Sequence, residues 1–322
     1  MKIIITGGAG FIGSNLAVEL SKKNKVIICD KVNNKIKKNN ISKVKRKKII
    51  RINEIFSFVE KNRNQISAVV HMGAISATDE KNLELLLKNN YLYSLRLFNI
   101  CNKLKIKFIY ASSAATYGNS SEYFDDKNTY DNFLKFKPIN YYGLSKHLFD
   151  LNILDIMKSK KNVGASPVGL KFFNVYGPNE LHKGFMMSPI PKFLKEIQKT
   201  NKLKLFKSHH KKFADGKQSR DFIYVKDCVK VIVWLLKKKK LTGIYNLGTG
   251  KSRTFYDLAR TVFNNVNLKP NINYVPTPKR IRNGYQYYTK AKMNNLRKAG
   301  YKNDFLNIEQ GVEDYIKNYL LK

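Results

Sequence analysis

Three residues have the types and the spacing to perform proton transfer: Tyr142, Lys146 and, further upstream, Ser113. A tyrosine and a lysine four positions apart lie on one face of a helix. A nearby ammonium stabilises a phenolate, so this spacing predicts that the pKa of Tyr142 falls from ~10 toward neutrality. Such a tyrosine can take the proton of a hydroxyl group while hydride leaves the same carbon, and Ser113 can hydrogen-bond the reacting oxygen. We therefore expect Tyr142, Lys146 and Ser113 to be catalytic.

A glycine-rich turn near the N-terminus predicts the site of a hydride acceptor. Gly7, Gly10 and Gly13 directly follow an apolar stretch and open a helical one. Glycines in this arrangement permit a tight turn, close backbone approach to a pyrophosphate and close packing of helix on strand. Asp30 closes the second apolar stretch, where an acid bonds the adenosine ribose hydroxyls. This placement makes the motif specific for a dinucleotide.

The residues around Asp30 leave the choice of dinucleotide open. An acid at this position favours NAD, because it repels the 2′-phosphate of NADP. Lys31, Lys35 and Lys37 follow at once and could neutralise that phosphate. A second stretch, Met72-Gly73-Ala74, ends another apolar run with small residues that let a cofactor pass close to the backbone. We interpret His71, just before it, as a packed residue at the end of a strand.

Apolar runs and helical spacing alternate through the first half of the chain. Strands are predicted at 2–6, 25–29, 49–52, 67–71, 107–111 and 168–173, and helices at 12–23, 53–64, 79–104 and 141–159, with 31–48 irregular. Alternation of this kind predicts an α/β fold, a Rossmann-type doubly wound parallel sheet with helices on both faces. Ligands of such sheets bind at the carboxyl ends of the strands.

The pattern changes after Gly177. We predict helix and loop over 186–215, a strand and a helix over 221–236, a strand at 243–247 and a loop-rich arm over 268–290. We therefore expect an NAD(P)-binding Rossmann domain over 1–177, to which segments of about 221–250 return. Residues 178–322 are expected to form mainly a smaller C-terminal α/β substrate-binding lobe.

Composition limits the classes of partner. The net charge is +38, from 61 Lys+Arg against 23 Asp+Glu, which would attract polyanions. The basic runs 43–48 and 237–240 are nearly all lysine without interleaved aromatic residues, so we interpret them as solvated surface and do not expect nucleic acid as a partner. Three scattered cysteines predict free thiols in the cytoplasm and no metal site. No apolar run approaches the ~20 residues of a membrane helix.

Longer motifs resemble a known family. Residues 6–13 (TGGAGFIG), 112–118 (SSAATYG), 142–146, 220–225 (RDFIYV) and 246–250 (NLGTG) resemble the extended short-chain dehydrogenases over essentially the whole chain. Residues 173–178 (FNVYGP), 180–184 (ELHKG), 205–208 (LFKS), 284–286 (GYQ) and 295–301 (NLRKAGY) resemble the ADP-glyceromanno-heptose 6-epimerases. These isomerases interconvert the D-glycero and L-glycero forms of ADP-manno-heptose for lipopolysaccharide.

The resemblance implies a transient 6-keto sugar, bound NADP (alternatively NAD), a homo-oligomer and Lys183 as a second acid/base. If Lys183 instead only binds phosphate, Tyr142 and a water would share both proton transfers. Lys192 stands where some members carry a histidine. The implied substrate contacts are Ser113, Asn174, Lys192, Phe206, Ser208, Arg220 and Tyr285. With the glycine turn and its surroundings, the cofactor set is Gly7, Gly10, Phe11, Ile12, Gly13, Asp30, Lys31, Lys37, Met72, Gly73, Ala74, Ser76, Asn89, Lys146 and Val175.

Other interpretations remain open. Another nucleotide-sugar 4-epimerase or dehydratase would share the fold, although residues 113–116 (SAAT) lack the Asp/Glu pair of a dehydratase. A basic nucleic-acid-binding protein on a dehydrogenase fold would explain the charge but not Ser113, Tyr142 and Lys146. Arg220 could instead form a salt bridge to Asp221 or Asp227.

Overall fold

The computed structural model describes residues 2–118, 124–159, 163–282 and 285–322. Gly284 of the resemblance therefore lies outside the described residues. The strands are β1 Lys2–Thr6, β2 Lys25–Cys29, β3 Lys47–Ile50, β4 Ile66–His71, β5 Lys107–Ser113, β6 Val168–Phe172, β7 Asn174–Tyr176, β8 Leu203–Phe206, β9 Ser219–Tyr224, β10 Gly243–Leu247, β11 Ser252–Thr254 and β12 Ile272–Val275.

The α-helices are α1 Phe11–Ser21, α2 Lys35–Asn40, α3 Ile55–Lys61, α4 Leu83–Leu86, α5 Tyr93–Lys103, α6 Tyr130–Leu134, α7 Tyr141–Lys158, α8 Pro189–Thr200, α9 Val225–Lys237, α10 Phe255–Asn264, α11 Lys279–Arg282, α12 Asn294–Lys298 and α13 Ile308–Tyr315. Short 3₁₀ segments include Ala114–Tyr117 and Leu181–Met186, and a π-helical turn, Leu87–Leu92, joins α4 to α5.

A parallel sheet forms the centre of the molecule, as the alternating pattern predicted. Its seven strands run in the order β10-β6-β5-β4-β1-β2-β3 within the described residues. Successive residues of a strand face opposite sides. In β1, Ile3 and Ile5 pack into the core that contains α1 and α9, whereas Ile4 packs into the core on the other face. Burial on both faces explains why these strands are continuous apolar runs.

The C-terminal residues build a second core beside this sheet. The small sheets β11-β9-β7 and β12-β8 pack with α8, α10 and α13, and Leu203 and Leu205 of β8 are buried there. Strand β10 pairs with β6 in the central sheet. The division of the chain into domains at residues 177 and 178 stays a prediction.

Two local predictions are wrong. Residues 31–48 are not irregular throughout, because Asn34 accepts a hydrogen bond from the Lys37 amide at 2.8 Å and so caps helix α2. The strand expected at 49–52 lies instead at Lys47–Ile50. In the arm that was expected to be mostly loop, β12 pairs in parallel with β8. No helix in the described part of the chain is long and apolar enough to cross a membrane.

Candidate active site

The candidate residues of the first domain follow strands that are neighbours in the sheet. Gly7 follows β1, Gly73 follows β4 and Ser113 ends β5, and these strands are adjacent and parallel. Parallel strands end at the same edge, so their following loops share one cleft. The cleft lies where the parallel sheet was expected to place its ligand.

The turn from β1 into α1 has the geometry that a bound diphosphate needs. Gly7 has φ +63°, and a Cβ there would come within 2.7 Å of the Gly73 backbone. A Cβ on Gly13 would lie 2.2 Å from the Gly7 carbonyl oxygen. Gly10 is the helix N-cap, and no side chain of the described residues caps the first turn, which begins with Phe11 and Ile12. The free N–H groups and dipole of this turn favour a phosphate.

Asp30 is engaged by both the glycine turn and a lysine. It accepts a hydrogen bond from the Ala9 amide at 2.9 Å and an ion pair from Lys37 at 2.8 Å. Lys37 also donates to the Lys31 carbonyl at 3.3 Å. An open groove of ≈ 1080 Å³ begins at Asp30 and Lys31 and is lined further by Lys38 and Arg51. The groove can hold an adenosine group, with cations close to the ribose.

His71 anchors the loop of Met72, Gly73 and Ala74. The Gly73 amide donates to the Thr6 hydroxyl at 3.0 Å. The Ser94 hydroxyl gives its own proton to the Asn90 carbonyl at 2.7 Å and can therefore only accept from His71, which leaves Nδ1 of His71 to accept from the Thr6 hydroxyl at 2.6 Å. Nε2 of His71 then donates to Ser94 at 2.8 Å. Burial lowers the pKa of His71 to about 3, which keeps it neutral. The neutral ring holds the loop close to the glycine turn.

The predicted cofactor residue Asn89 is exposed, and its neighbour Asn90, which the sequence analysis did not name, is buried. The exposed Asn89 donates to the Leu85 carbonyl of its own helix at 2.8 Å. The buried Asn90 instead accepts from the Ile75 amide and donates to the Ile75 carbonyl, each at 2.9 Å. It therefore positions the loop that contains Ser76. The π-helical turn at Leu87–Leu92 rotates this face of the helix, and helical spacing in the sequence does not reveal it.

Ser113, Tyr142 and Lys146 meet between β5 and α7. Asn140 caps α7 by accepting from the Gly143 amide at 2.7 Å. A Cβ on Gly143 would lie 2.6 Å from the Ala115 carbonyl oxygen, so a glycine lets the helix pack on the turn after Ser113. Ser113 hydrogen-bonds Tyr142. Lys146 donates to the Ala111 carbonyl at 2.8 Å.

The prediction that the pKa of Tyr142 falls toward neutrality is wrong for the protein alone. Burial raises this pKa, and the Asp150 charge adds to the rise, while the Ser113 hydrogen bond lowers it. The ammonium of Lys146 is directed at Ala111 rather than at the phenol. Burial lowers the pKa of Lys146 to about 8.

Lys183 lies on a segment that is fastened to the glycine turn. Asn15 donates to the Pro178 carbonyl and Asn179 donates to Ser14, each at 2.9 Å. The Lys183 ammonium lies 5.5 Å from the centre of the Phe11 ring, over the start of α1. Burial lowers the pKa of Lys183, and the Glu180 carboxylate opposes this. A buried lysine with a lowered pKa can exchange protons.

Arg220 supplies a buried cation in the second lobe. Its guanidinium carbon lies 5.7 Å from the Phe255 ring and 5.5 Å from the Tyr285 ring. Asp221 accepts from the Thr249, Gly250 and Ala291 amides, and Asp227 pairs with Lys230. The expected alternative, an ion pair of Arg220 with either acid, is therefore absent from the described residues. A planar cation held in this way suits a diphosphate.

The other substrate candidates are near the ends of the small strands. Phe206 ends β8, while the Ser208 hydroxyl is occupied by the His210 carbonyl at 3.1 Å. Asn174 begins β7 and is exposed, and Val175 follows it in the same strand. Lys192 donates to the Phe185 carbonyl at 2.5 Å and so steadies the Lys183 segment. The rings of His210 and Tyr287 are tilted against each other with their centres 5.1 Å apart.

The chain is similar to nucleotide-sugar enzymes of one family. The NAD dependent epimerase/dehydratase family matches residues 3–248. The ADP-L-glycero-D-manno-heptose-6-epimerase of Nitratidesulfovibrio vulgaris is 41% identical over 321 residues, covering 98% of this chain and 97% of that protein. The Helicobacter pylori ADP-L-glycero-D-manno-heptose-6-epimerase structure has a TM-score of 0.80 and 28% identity, covering 98% of this chain and 95% of that one. A UDP-N-acetylglucosamine 4-epimerase from Methanobrevibacter ruminantium has a TM-score of 0.83 and 26% identity, covering 99% and 98%.

Proposed function

The chain belongs to the NAD dependent epimerase/dehydratase family, and within it to the ADP-L-glycero-D-manno-heptose-6-epimerases, and on that premise we propose that Tyr142 and Lys183 exchange the protons of its reaction. It is an isomerase that inverts C6″ of ADP-glycero-manno-heptose, from the D-glycero to the L-glycero form, and supplies heptose for the inner core of lipopolysaccharide. Its cofactor is a nicotinamide dinucleotide.

One observation carries the assignment of roles. Two candidate acid/base groups stand on separate elements around one cofactor turn: Tyr142 on α7 beside Ser113, and Lys183 over Phe11. Two such groups suit a reaction that removes hydride from one face of a carbon and returns it to the other. With a single acid/base, the same group would have to serve both half-reactions, directly or through a water.

The residues divide the work as follows. Bound nicotinamide supplies a hydride acceptor and then a hydride donor. Because burial raises the pKa of Tyr142 in the protein alone, its ionisation would have to accompany binding of the cationic nicotinamide ring. As the phenolate, Tyr142 takes the proton of the C6″ hydroxyl while that carbon loses hydride, and Ser113 holds the oxygen. The resulting 6-keto sugar turns in the cleft and presents its other face. Lys183 then gives a proton to the oxygen as hydride returns, so no net oxidation occurs. Arg220 holds the diphosphate throughout.

NADP is the proposed dinucleotide. Asp30, which would repel a 2′-phosphate, is paired with Lys37 at 2.8 Å. Lys31 and Lys38 line the same groove and add positive charge. We also place the enzyme in the cytoplasm, as a homo-oligomer. Release of bound dinucleotide from the purified protein and its identification by mass would distinguish NADP from NAD.

The reaction itself is tested by adding ADP-D-glycero-β-D-manno-heptose to the purified protein and following the C6″ signals by NMR. The expected result is drift to a mixture of both epimers without added cofactor. UDP-glucose and dTDP-glucose, given to the same protein, should remain unchanged. Turnover of a UDP- or dTDP-sugar together with an inert ADP-heptose would overturn the heptose assignment and favour the 4-epimerase or dehydratase alternative.

A further inference from the structure

A fully buried ion pair lies directly behind the reacting residues. Asp150 of α7 and Lys171 of β6 are joined at 2.5 Å, and both side chains are 0% exposed. Asp150 lies four residues after Lys146 and eight after Tyr142, on the same side of α7. Lys171 pairs with Ser112 in the register of β5 and β6. The pair therefore joins α7, which carries Tyr142, to β6, and β6 is the neighbour of β5, the strand that ends at Ser113.

Every contact of the Asp150 carboxylate reaches β5 or β6 among the described residues. It accepts from the Tyr110 hydroxyl at 2.9 Å and from the Ser112 hydroxyl at 2.6 Å. A Cβ on Gly169 would lie 2.6 Å from the Tyr110 hydroxyl, so the glycine in β6 leaves room for that phenol. Lys146 donates to the intervening Ala111 carbonyl at 2.8 Å. Successive residues of β5 are thus tied to one face of α7.

Lys171 continues the connection to the turn after Ser113. Its ammonium donates to the Thr116 hydroxyl at 2.6 Å, and Thr116 in turn donates to the Ser113 carbonyl at 2.8 Å. The rings of Tyr117, Phe133 and Phe136 surround the ammonium at 5.1, 4.6 and 5.5 Å. The main chain of Ser113 is therefore fixed from the side of β6 as well as from α7.

We propose that Asp150 and Lys171 are positioning residues for the reaction: they fix Ser113 on β5 relative to Tyr142 and Lys146 on α7. This inference rests on the proposed roles of Ser113, Tyr142 and Lys146. A buried ion pair adds little stability compared with well-packed apolar residues, because desolvation offsets the attraction. A positional and electrostatic role accounts for its place behind the reacting groups.

The groups around Lys146 determine how easily its ammonium loses a proton. Asp150 raises the pKa of Lys146, whereas burial lowers it to about 8. His71, at the end of β4, faces Lys146 from the other side and is neutral. Tyr142 lies one turn away on α7 and Ser113 lies on β5. Within this set Asp150 is the acidic group that raises the pKa of Lys146, so its replacement should make the Lys146 ammonium lose its proton more easily.

The test replaces both charges at once, so that no unpaired charge is left in the core. The variant is D150N/K171M, assayed as the full protein with its bound cofactor. The matched control is D314N/K226M, because Asp314 likewise contacts a lysine at 2.6 Å and a tyrosine hydroxyl, that of Tyr224, at 2.5 Å. That cluster joins α13 to Tyr224 of β9 and to Lys226 at the start of α9, and its two charged side chains are 28% and 40% exposed, so it controls for the loss of an ion pair that is not fully buried. K171R is the conservative variant, since it keeps the charge.

For D150N/K171M we expect kcat to fall about tenfold, KM to change little, and the alkaline limb of the kcat profile to move down by about one pH unit. The control and K171R should keep the wild-type limb. Loss of thermal stability in D150N/K171M with an unchanged limb in the folded fraction would overturn the proposal and leave the pair a structural role only.

A second measurement separates this inference from the proposed function. If the wild-type protein does not epimerise ADP-heptose, the proposed function fails, and hydrogen exchange of residues 111–117 still tests the positional part. Faster exchange there in D150N/K171M, but not in the control, would support it. Equal exchange in both would reject the positioning role whatever the reaction is.

Discussion

The two candidate acid/base residues differ in how they are held. Tyr142 belongs to an 18-residue helix, packs against Ala115 through Gly143, and hydrogen-bonds Ser113. Lys183 belongs to a six-residue 3₁₀ segment with a break at Gly184, where φ is +56°. Next to that break, Phe185 is 70% exposed. Both side chains are half-buried, but Tyr142 lies on a long helix that is packed on the central sheet, whereas Lys183 lies on a short segment next to an exposed ring.

The difference fits a reaction in which the sugar must turn. A fixed group defines where the first proton leaves, because its distance to the cofactor turn does not vary. A group on a short segment can follow the ketone after rotation. Glu180 limits that freedom, since its buried carboxylate accepts from the Ser188 amide and hydroxyl, each at 2.6 Å. The segment is thus anchored at its base by Glu180 and held at Phe185 by a single contact from the exposed Lys192.

The largest expected effect is that of Tyr142→Phe, which removes the proton acceptor but keeps the ring. We expect the epimerisation rate to fall by about 10³- to 10⁴-fold, the upper range for loss of a general acid/base. NMR exchange of the C6″ signals at saturating substrate measures it. Cofactor content should remain that of the wild type. A loss of less than about tenfold would mean that Tyr142 is not the acid/base.

The next largest effect is expected for Lys183→Met, by about 10²-fold in kcat. Lys183→Arg should not restore activity if the lysine exchanges a proton, because arginine does not deprotonate in this range. If it only binds phosphate, arginine should restore much of KM. The matched control is Lys195→Met, an exposed lysine on the neighbouring helix α8. A Lys183→Met enzyme with normal turnover would leave Tyr142 and water as the proton carriers.

Arg220→Met should act on binding rather than on either proton transfer. A charge-assisted hydrogen bond contributes about 1.5–3 kcal/mol, so we expect KM to rise by about 10- to 100-fold, with a smaller change in kcat. Arg220→Lys should recover only part of the affinity, because it lacks the planar fork. Steady-state kinetics of the two variants measures the split. A fall in kcat at unchanged KM would place Arg220 in the chemistry instead.

Much of the central sheet could be predicted from the sequence, and little of the C-terminal lobe. Strands β1, β2 and β10 have the predicted bounds, because each is an apolar run ended by a turn. The pairing of β8 with β12 depends on residues far apart in the chain, which local patterns do not report. Likewise, Lys171 meets Asp150 only through the register of β5 and β6. Asn90 was missed because a π-helical turn changes which asparagine faces inward.

A smaller effect is expected at the cofactor groove. Lys37→Met removes the cation that pairs with Asp30 at 2.8 Å. Without this cation, the Asp30 carboxylate would repel a 2′-phosphate, so the preference for NADP over NAD should fall by about tenfold. Dissociation constants for both dinucleotides, measured on protein freed of cofactor, test this. Lys43→Met, at an exposed lysine of the basic run 43–48, is the control. An unchanged ratio would show that Lys37 does not set cofactor choice.

The last effect is on stability rather than on activity, and it concerns the response of the domain that contains Tyr142 to acid. The pKa of His71 is about 3 in the folded protein, below its ordinary value of 6.5. The unfolded chain therefore binds one more proton between these values, and stability falls as pH drops through that window, by about 1.4 kcal/mol per unit at most. His71→Gln should flatten this slope in urea unfolding between pH 6 and 4. His182→Gln, on the half-buried Lys183 segment, should flatten it less. If His182→Gln flattened the slope more than His71→Gln, the folded protein would disfavour protonation more strongly at His182, near Lys183, than at His71.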